Sequence, residues 1–321
     1  MDSSTTTEQE PTGAVPLFTA LEDARRRFLA LVQDVRPELH RYCARMTGSV
    51  ADAEDVVQDT LARAYYKLSD LRAMPPLRPW LFRIAHNRAI DHWRFEARRR
   101  GEPLDEALEP AGDLADEPDS ALARHQAVQA ALSTFLQLPP AQRGCVTLKD
   151  VLEHSLEEIA TELEMSLPAV KAALHRGRAQ LHALAAKSAP LSPAPPRAVS
   201  PSLQRYALLF NARDWDALRA LLADEVKLDL VARHRIAGRG AVGRYFSNYA
   251  KLLDCQARPA WLEGREVLAM LRDGVPAYFI ELRWEGGRLA AIRDFRYVPY
   301  IAQDVRFDMA DEAGHALISA P

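Results

Sequence analysis

The sequence predicts three folded blocks in a row: two all-α blocks, the second carrying a helix-turn-helix, and then an α+β block built as a cone. Three observations predict this. Apolar residues recur at i, i+3, i+4 and i+7 through most of residues 25–187, the stripe of helices that pack by one face. Past residue 222 the recurrence changes to every second residue, with "RDGV" and "EGGR" between alternating runs, as in an antiparallel sheet joined by hairpins. Two stretches of foreign composition separate the blocks. Residues 101–123, "GEPLDEALEPAGDLADEPDSALA", carry eight acids, no base and three helix-breaking prolines. Residues 188–202, "SAPLSPAPPRAVSPS", hold five prolines and favour an extended polyproline spacer. The resulting division is a tail at 1–16, a first helical block at 17–100 and an acidic linker at 101–123. A second helical block at 124–187, a proline-rich linker at 188–202, the α+β block at 203–307 and a tail at 308–321 follow.

Bulk composition excludes several classes. At 321 residues the chain is long for one core, and 48% hydrophobic with 26% charged residues is globular. No apolar run approaches 18 residues, so no membrane span is expected. The start, "MDSSTTTEQEPTG", has neither a basic region nor an apolar core and does not read as a signal peptide. Cys43, Cys145 and Cys255 are odd in number and far apart. They form neither a disulfide framework nor a spaced zinc site, and they read as small core residues of a protein in a reducing cytoplasm. No cofactor or metal is implied. A net charge of −3 excludes a uniformly basic nucleic-acid binder, but an average hides local patches.

Taken in order, Phe28, Leu29, Val32, Val35, Leu39, Tyr42 and Cys43 mark the first helix. "GSVADAEDVVQDTLARAYYKL" is the second, with Asp52 as its cap, Asp55 completing a partial capping box, and Val56, Leu61, Ala64, Tyr65 and Leu68 buried. After the loop "SDLRAMPPLRP" comes "RPWLFRIAHNRAIDHWRFEARRR", residues 78–100, with seven arginines, two tryptophans and two acids. Leu81, Phe82, Ile84, Ala85 and Ala89 share one face of that helix. Arg83, Asn87, Asp91, Arg94 and Arg98 share the other, with Trp80 one turn earlier. Cations for phosphates, an amide for a base edge and an indole for an unstacked base suit a nucleic-acid strand. A solvated basic face is the plainer alternative. In "LEEIATELEMSLPAVKAALHRGRAQL", Leu156, Ile159, Ala160 and Leu163 form one stripe and Val170, Leu174, Gly177 and Leu181 the next. Between them Ser166 is the cap and Pro168 sits in the first turn. Lys171, His175, Arg176 and Arg178 make the second helix basic, as in a helix-turn-helix. Glu153 and Glu164 stand where glycine would ease a turn.

"DAEDVVQDTLARAYYKL", "RPWLFRIAHNRAIDHWR" and "LPPAQRGCVTLKDVLEHSLEEIATELEMSLPAVKAALHRGRAQL", in that order, resemble a bacterial RNA polymerase sigma factor of the extracytoplasmic-function type over roughly residues 25–187. The resemblance implies binding to core RNA polymerase, at its clamp helices, through Asp52, Glu54, Asp55, Gln58 and Asp59. It implies that the basic helix melts and reads the minus-ten promoter element through Trp80, Arg83 and Asn87, with Arg94 and Arg98 on phosphates. The loop at 69–79 would capture a flipped base. The second helix of the helix-turn-helix would enter the major groove at the minus-thirty-five element, with Ser166, Pro168, Lys171, His175 and Arg176 as contacts. Ala172 and Ala173 stand where the family often has a hydroxyl and an arginine. The acidic linker would thread the polymerase cleft and mimic nucleic acid, or act only as a solvated tether. An anti-sigma protein is a further implied partner.

In the third block Leu203, Tyr206, Ala207 and Phe210 mark a helix, Leu218, Leu221 and Leu222 a second, and Val226, Leu228 and Leu230 a strand. A helix through Val242, Tyr245, Phe246, Tyr249 and Leu253 follows, then strands near 257–262, 266–272, 276–284 and 288–298. "FNARDWDALRALLADEV" resembles the SnoaL-like cyclase group of cone folds, over about 203–298. Tyr206, Trp215, Tyr245, Tyr249, Trp261, Tyr278 and Trp284 are candidates to line a small-molecule pocket, or simply core. Asp229, His234 and Asp294 are the candidate acid–base residues, but no spacing unites them, and the block reads as regulatory rather than enzymatic. Three readings follow: a sigma factor with an autoregulatory C-terminal block, a ligand-sensing helix-turn-helix regulator that binds duplex DNA without polymerase, and a cone-fold isomerase or cyclase tethered to DNA. The second leaves residues 80–98 unexplained and the third lacks an acid–base pair.

Overall fold

The computed structural model describes residues 14–68, 75–101, 127–128, 130–187, 198–302, 305 and 307–310. Most of the N-terminal tail, loop residues 69–74, the acidic linker beyond Gly101, the proline-rich linker to 197 and residues past 310 lie outside them. The chain divides into two compact units, Met1–Lys187 and Ser188–Pro321.

The first unit contains α1 (Ala14–Thr47), α2 (Val50–Lys67), α3 (Leu77–Arg100), α4 (Leu132–Phe135), α5 (Pro140–Val146), α6 (Leu156–Glu162) and α7 (Leu167–Lys187), with a π-helical turn at Thr147–Val151. The apolar stripes of α1, α2 and α3 meet: Leu39, Tyr42, Val57, Leu81, Phe82, Ala85 and Ala89 are buried, and the Tyr42 and Phe82 rings meet edge to face at 5.8 Å. Leu29, expected inside, is exposed. Nor does Asp52 cap α2. Gly48, at φ +78°, turns the chain, and the extended Ser49 is the cap, its hydroxyl accepting the Asp52 N–H at 3.3 Å. Asp52 lies in the first turn, where its charge suits the helix dipole.

The helix-turn-helix is α6 and α7. A capping box of Ser155 and Glu158 starts α6, and the Ser166 hydroxyl accepts the Ala169 N–H at 3.3 Å to start α7. Glu153 and Glu164 take left-handed backbone, φ 65° and 54°, so the turns form where glycine was wanted and without it. Gly177 lets α7 close on α5: a Cβ there would sit 2.7 Å from Cγ2 of Val146. Both helical blocks belong to this one unit. The buried Arg143 of α5 donates to the carbonyls of Met46, Leu136 and Leu138 at 2.6, 3.2 and 2.9 Å. Burial lowers its pKa to about 10.

The second unit contains α8 (Pro201–Asn211), α9 (Trp215–Leu221), β1 (Leu222–Leu230), β2 (His234–Ala237), α10 (Arg239–Gly243), α11 (Tyr245–Tyr249), β3 (Cys255–Leu262), β4 (Arg265–Arg272), β5 (Val275–Glu285), β6 (Arg288–Asp294) and β7 (Asp308–Met309). The sheet order is β2-β1-β6-β5-β4-β3-β7, with β1 parallel to β6 and the other neighbours antiparallel. This is an α+β fold. Leu203, Tyr206, Phe210, Leu218 and Phe246 from the helices form one core with Val226, Leu228, Leu268, Met270, Ile280 and Ile292 of the sheet. The strand expected at 288–298 ends at Asp294. Phe295 turns away and stacks on Phe279 at 4.2 Å. The helix expected through 242–253 is two short ones, and Asp308–Met309, expected as tail, pairs with β3.

Candidate nucleic-acid interface

On α3, Asn87 and Arg98 are exposed, and Arg83 and Arg94 are partly so. Arg83 donates to Glu164 at 3.1 Å, and Arg98 Nε donates to the Arg94 carbonyl at 3.2 Å. Arg88 is engaged elsewhere, with Asp59 at 2.5 Å and Asp91 at 2.9 Å. Trp80 departs from expectation. It lies on Asn87's side of the helix, but the first turn is covered on that side and the indole is 7% exposed. Its large apolar area favours burial over presentation, so it offers no stacking platform. The exposed set is therefore an amide and three guanidiniums.

The α2 acids divide as well. Asp55 is exposed, and Asp52, Gln58 and Asp59 are partly exposed. Glu54 is fully buried, ion-paired to Arg36 and accepting from Gln58 Nε2 at 3.3 Å. It lies about 20° from Leu61 on the helix, facing the core, so it cannot meet a partner. Asp59 holds Arg63 at 3.0 Å besides Arg88, and Asp52 lies 3.9 Å from Nε2 of His92.

At the start of α7, Ser166, Pro168 and Lys171 are exposed, and His175 and Arg176 partly so. Ala172 and Ala173 are buried, so polar side chains there would face the core and not a groove. Arg178 is bound to the buried Asp150 at 2.9 and 2.5 Å and braces the helix. Sequence reasoning passed over Arg143 and His86. His86 is hydrogen-bonded to the Tyr42 hydroxyl at 2.6 Å, and burial lowers its pKa to about 4. These contacts join residues 97 and 44 positions apart, which no local pattern announces.

In the second unit Asp229, His234 and Asp294 do not converge. Asp229 pairs in register with Arg293, which points to the opposite face from Asp294, and His234 is exposed on β2. Asp294 is buried, accepting from the Tyr245 and Tyr249 hydroxyls at 2.8 Å each and from the Arg296 N–H at 2.9 Å, and burial raises its pKa. Tyr206, Tyr245, Tyr249 and Tyr278 are core, and Trp215, Trp261 and Trp284 are partly buried. Among the described residues no group of three or more His, Cys, Asp or Glu could hold a metal, and no helix is long and apolar enough to cross a membrane.

Residues 31–99 match Sigma-70 region 2, and residues 129–181 match Sigma-70 region 4. The sigma factor CnrH of Cupriavidus metallidurans is 35% identical over 140 residues, spanning 41% of this chain and 73% of CnrH. The chain belongs to the RNA polymerase sigma factors of the ECF type. The ECF sigma factor SigG of Mycobacterium tuberculosis is 34% identical over 231 residues, 64% of this chain and 61% of SigG. The chain therefore spans about three fifths of SigG's length. The matched share exceeds the 187 of 321 residues in the first unit, so the likeness to SigG runs into the second. Among solved structures, the sigma factor SigJ of Mycobacterium tuberculosis covers 83% of this chain and 95% of its own at 21% identity and a TM-score of 0.34. RpoE in complex with the anti-sigma factor NepR, from Bartonella quintana, covers 51% and 99% at 23% identity and a TM-score of 0.37. Region 2 thus ends in α3, and region 4 holds the α6–α7 helix-turn-helix.

Proposed function

We propose that this sigma factor binds core RNA polymerase through the α2 surface of Asp52, Asp55, Gln58 and Asp59 and directs promoter melting and transcription initiation. Arg83, Asn87, Arg94 and Arg98 meet the minus-ten element, and Ser166, Pro168, Lys171, His175 and Arg176 meet the minus-thirty-five element. Trp80 and Glu54 are left out because both are buried. The observation that carries this reading is α3 itself: within the region 2 match, its apolar face is buried while Asn87 and Arg98 stay exposed. The second unit is the regulatory part, and neither unit is an enzyme. The protein acts in the cytoplasm, under control of an anti-sigma protein or a small molecule.

Run-off transcription with core polymerase tests the reading. Specific transcripts from a defined promoter are expected. Duplex binding without core, and no transcript with it, would instead select a conventional helix-turn-helix regulator.

A further inference from the structure

With Trp80 buried, the basic side of α3 lacks the indole that an unstacked base would have met, yet the helix carries another ring. Phe82 is buried like Trp80, and Trp93 is half-buried beneath the Arg143 guanidinium, 5.6 Å from the ring centre. Phe95 is 55% exposed. A single exposed apolar side chain signifies nothing by itself. Its place does. At 100° per residue Phe95 lies about 80° around α3 from Asn87 and about 60° from Arg98. It therefore borders the arc on which Asn87, Asp91 and Arg98 are all exposed. The Arg99 guanidinium lies over the Phe95 ring, 5.8 Å from its centre, and is ion-paired to Glu96 at 2.9 Å. One face of the ring thus rests against a tethered cation, which leaves the opposite face for a second flat group.

We propose that Phe95 is a stacking platform for one unpaired base of the melted promoter strand, completing a base–phenyl–guanidinium stack with Arg99. The inference rests on the promoter-binding reading above and adds to it a residue that neither the basic pattern nor the resemblance singled out. The chemistry divides the work along α3. Every base has a π-face, so a phenyl ring holds an unpaired base whatever its identity, while the Asn87 amide meets a base edge and distinguishes it. A guanidinium on the far face of the ring strengthens the platform through its attraction to the π-system. Arg94 and Arg98, on the same side, hold phosphates and set the register. The spacing fixes where the stacked base lies. Phe95 is eight residues beyond Asn87, or about 12 Å along the helix axis. At roughly 3.4 Å per nucleotide of one strand, that places the stacked base three to four nucleotides from the one that Asn87 meets.

The test is equilibrium binding of the full-length protein, assembled with core polymerase, to a fork-junction DNA. The fork is duplex upstream and single-stranded through the minus-ten bases of the non-template strand, copied from a promoter that gives a run-off transcript. Phe95→Ala should weaken binding about 5- to 150-fold, the range that loss of one base–aromatic stack produces. Phe95→Leu, apolar but without a ring, should lose nearly as much, and Phe95→Trp should bind like the wild type. Phe95→Ala should leave the salt dependence of binding unchanged, whereas Arg98→Ala should flatten it by about one unit of slope. Bases are then removed one at a time as abasic sites. At one position, three to four nucleotides from the site where Asn87→Ala loses its effect, wild type and Phe95→Ala should bind equally. Equal affinities for the intact fork would overturn the platform, as would a Phe95→Ala defect that persists at every abasic position. Wild-type binding by Phe95→Leu would overturn it too, since apolar area alone would then suffice. If wild-type holoenzyme prefers the fork no more than one with a scrambled strand, the promoter reading itself falls and takes the platform with it.

Discussion

Trp80 and Asn87 fall on one side of α3 by sequence, yet one is buried and the other exposed. Periodicity assigns a residue to a side of its helix. It does not say how far along the helix that side is covered. Glu54 shows the converse: an acid among acids reads as surface, but the 3.6-residue repeat turns it inward, where Arg36 neutralises it. The covered and uncovered parts of that one side of α3 predict different phenotypes. Asn87→Ala or Arg98→Ala should impair open-complex formation, followed by permanganate reactivity of the melted bases, while core affinity stays unchanged. Loss of core affinity with normal melting would reverse that assignment. Trp80→Ala should instead destabilise the first unit by about 3–5 kcal/mol in urea denaturation, the usual cost of truncating a buried tryptophan. Backbone conformation yields a cleaner residue-scale test. Ala232 is exposed in the turn between β1 and β2 at φ +64°, with only a methyl group to lose. Ala232→Gly should stabilise the second unit by about 0.5–1 kcal/mol, because the left-handed penalty exceeds glycine's extra unfolded-state entropy. A lower denaturation midpoint would show that the turn is not strained.

Among the elements, the strands from β3 to β6 were legible because alternation and hairpin residues both point to them. β2 and β7 were not: they are four and two residues long and owe their existence to the neighbours β1 and β3. The helix-turn-helix was legible from its two stripes even though glutamates fill its turn positions. The glycine within its second stripe now has a cause. A helix-interior glycine costs about 1 kcal/mol against alanine, and at Gly177 the return is close approach to Val146. Gly177→Ala should therefore lower stability by about 1–2 kcal/mol despite its better helix propensity, because the added carbon overpacks the α5–α7 contact. Val146→Ala should relieve the overlap, so that the two changes together cost less than the sum of each alone. Strict additivity would show that the helices simply move apart.

For the whole molecule, two compact units predict separable stabilities with different responses to acid. His86 in the first unit is held at about 4, below the ordinary 6.5 of histidine, by its burial. The unfolded chain therefore takes up that proton first. The stability tied to neutral His86 is complete above about pH 6.5 and drains as the pH falls toward 4, by at most about 3 kcal/mol at 1.36 kcal/mol per pH unit. Glu162 in the same unit is raised by burial and works the other way. Asp294 in the second unit is raised too, so acid relieves a buried charge there and adds no such loss. Chain ending at Lys187 should thus lose stability between pH 7 and pH 4.5 in urea titrations, and His86→Gln should flatten that slope. The second unit's own transition in the full-length protein should not follow. An unchanged slope in His86→Gln would mean that another group carries the acid response. The same truncation, tried at neutral pH with core polymerase, reads the second unit's role: altered transcription relative to the full-length chain is expected if it regulates, and equal activity and core affinity would leave it without one.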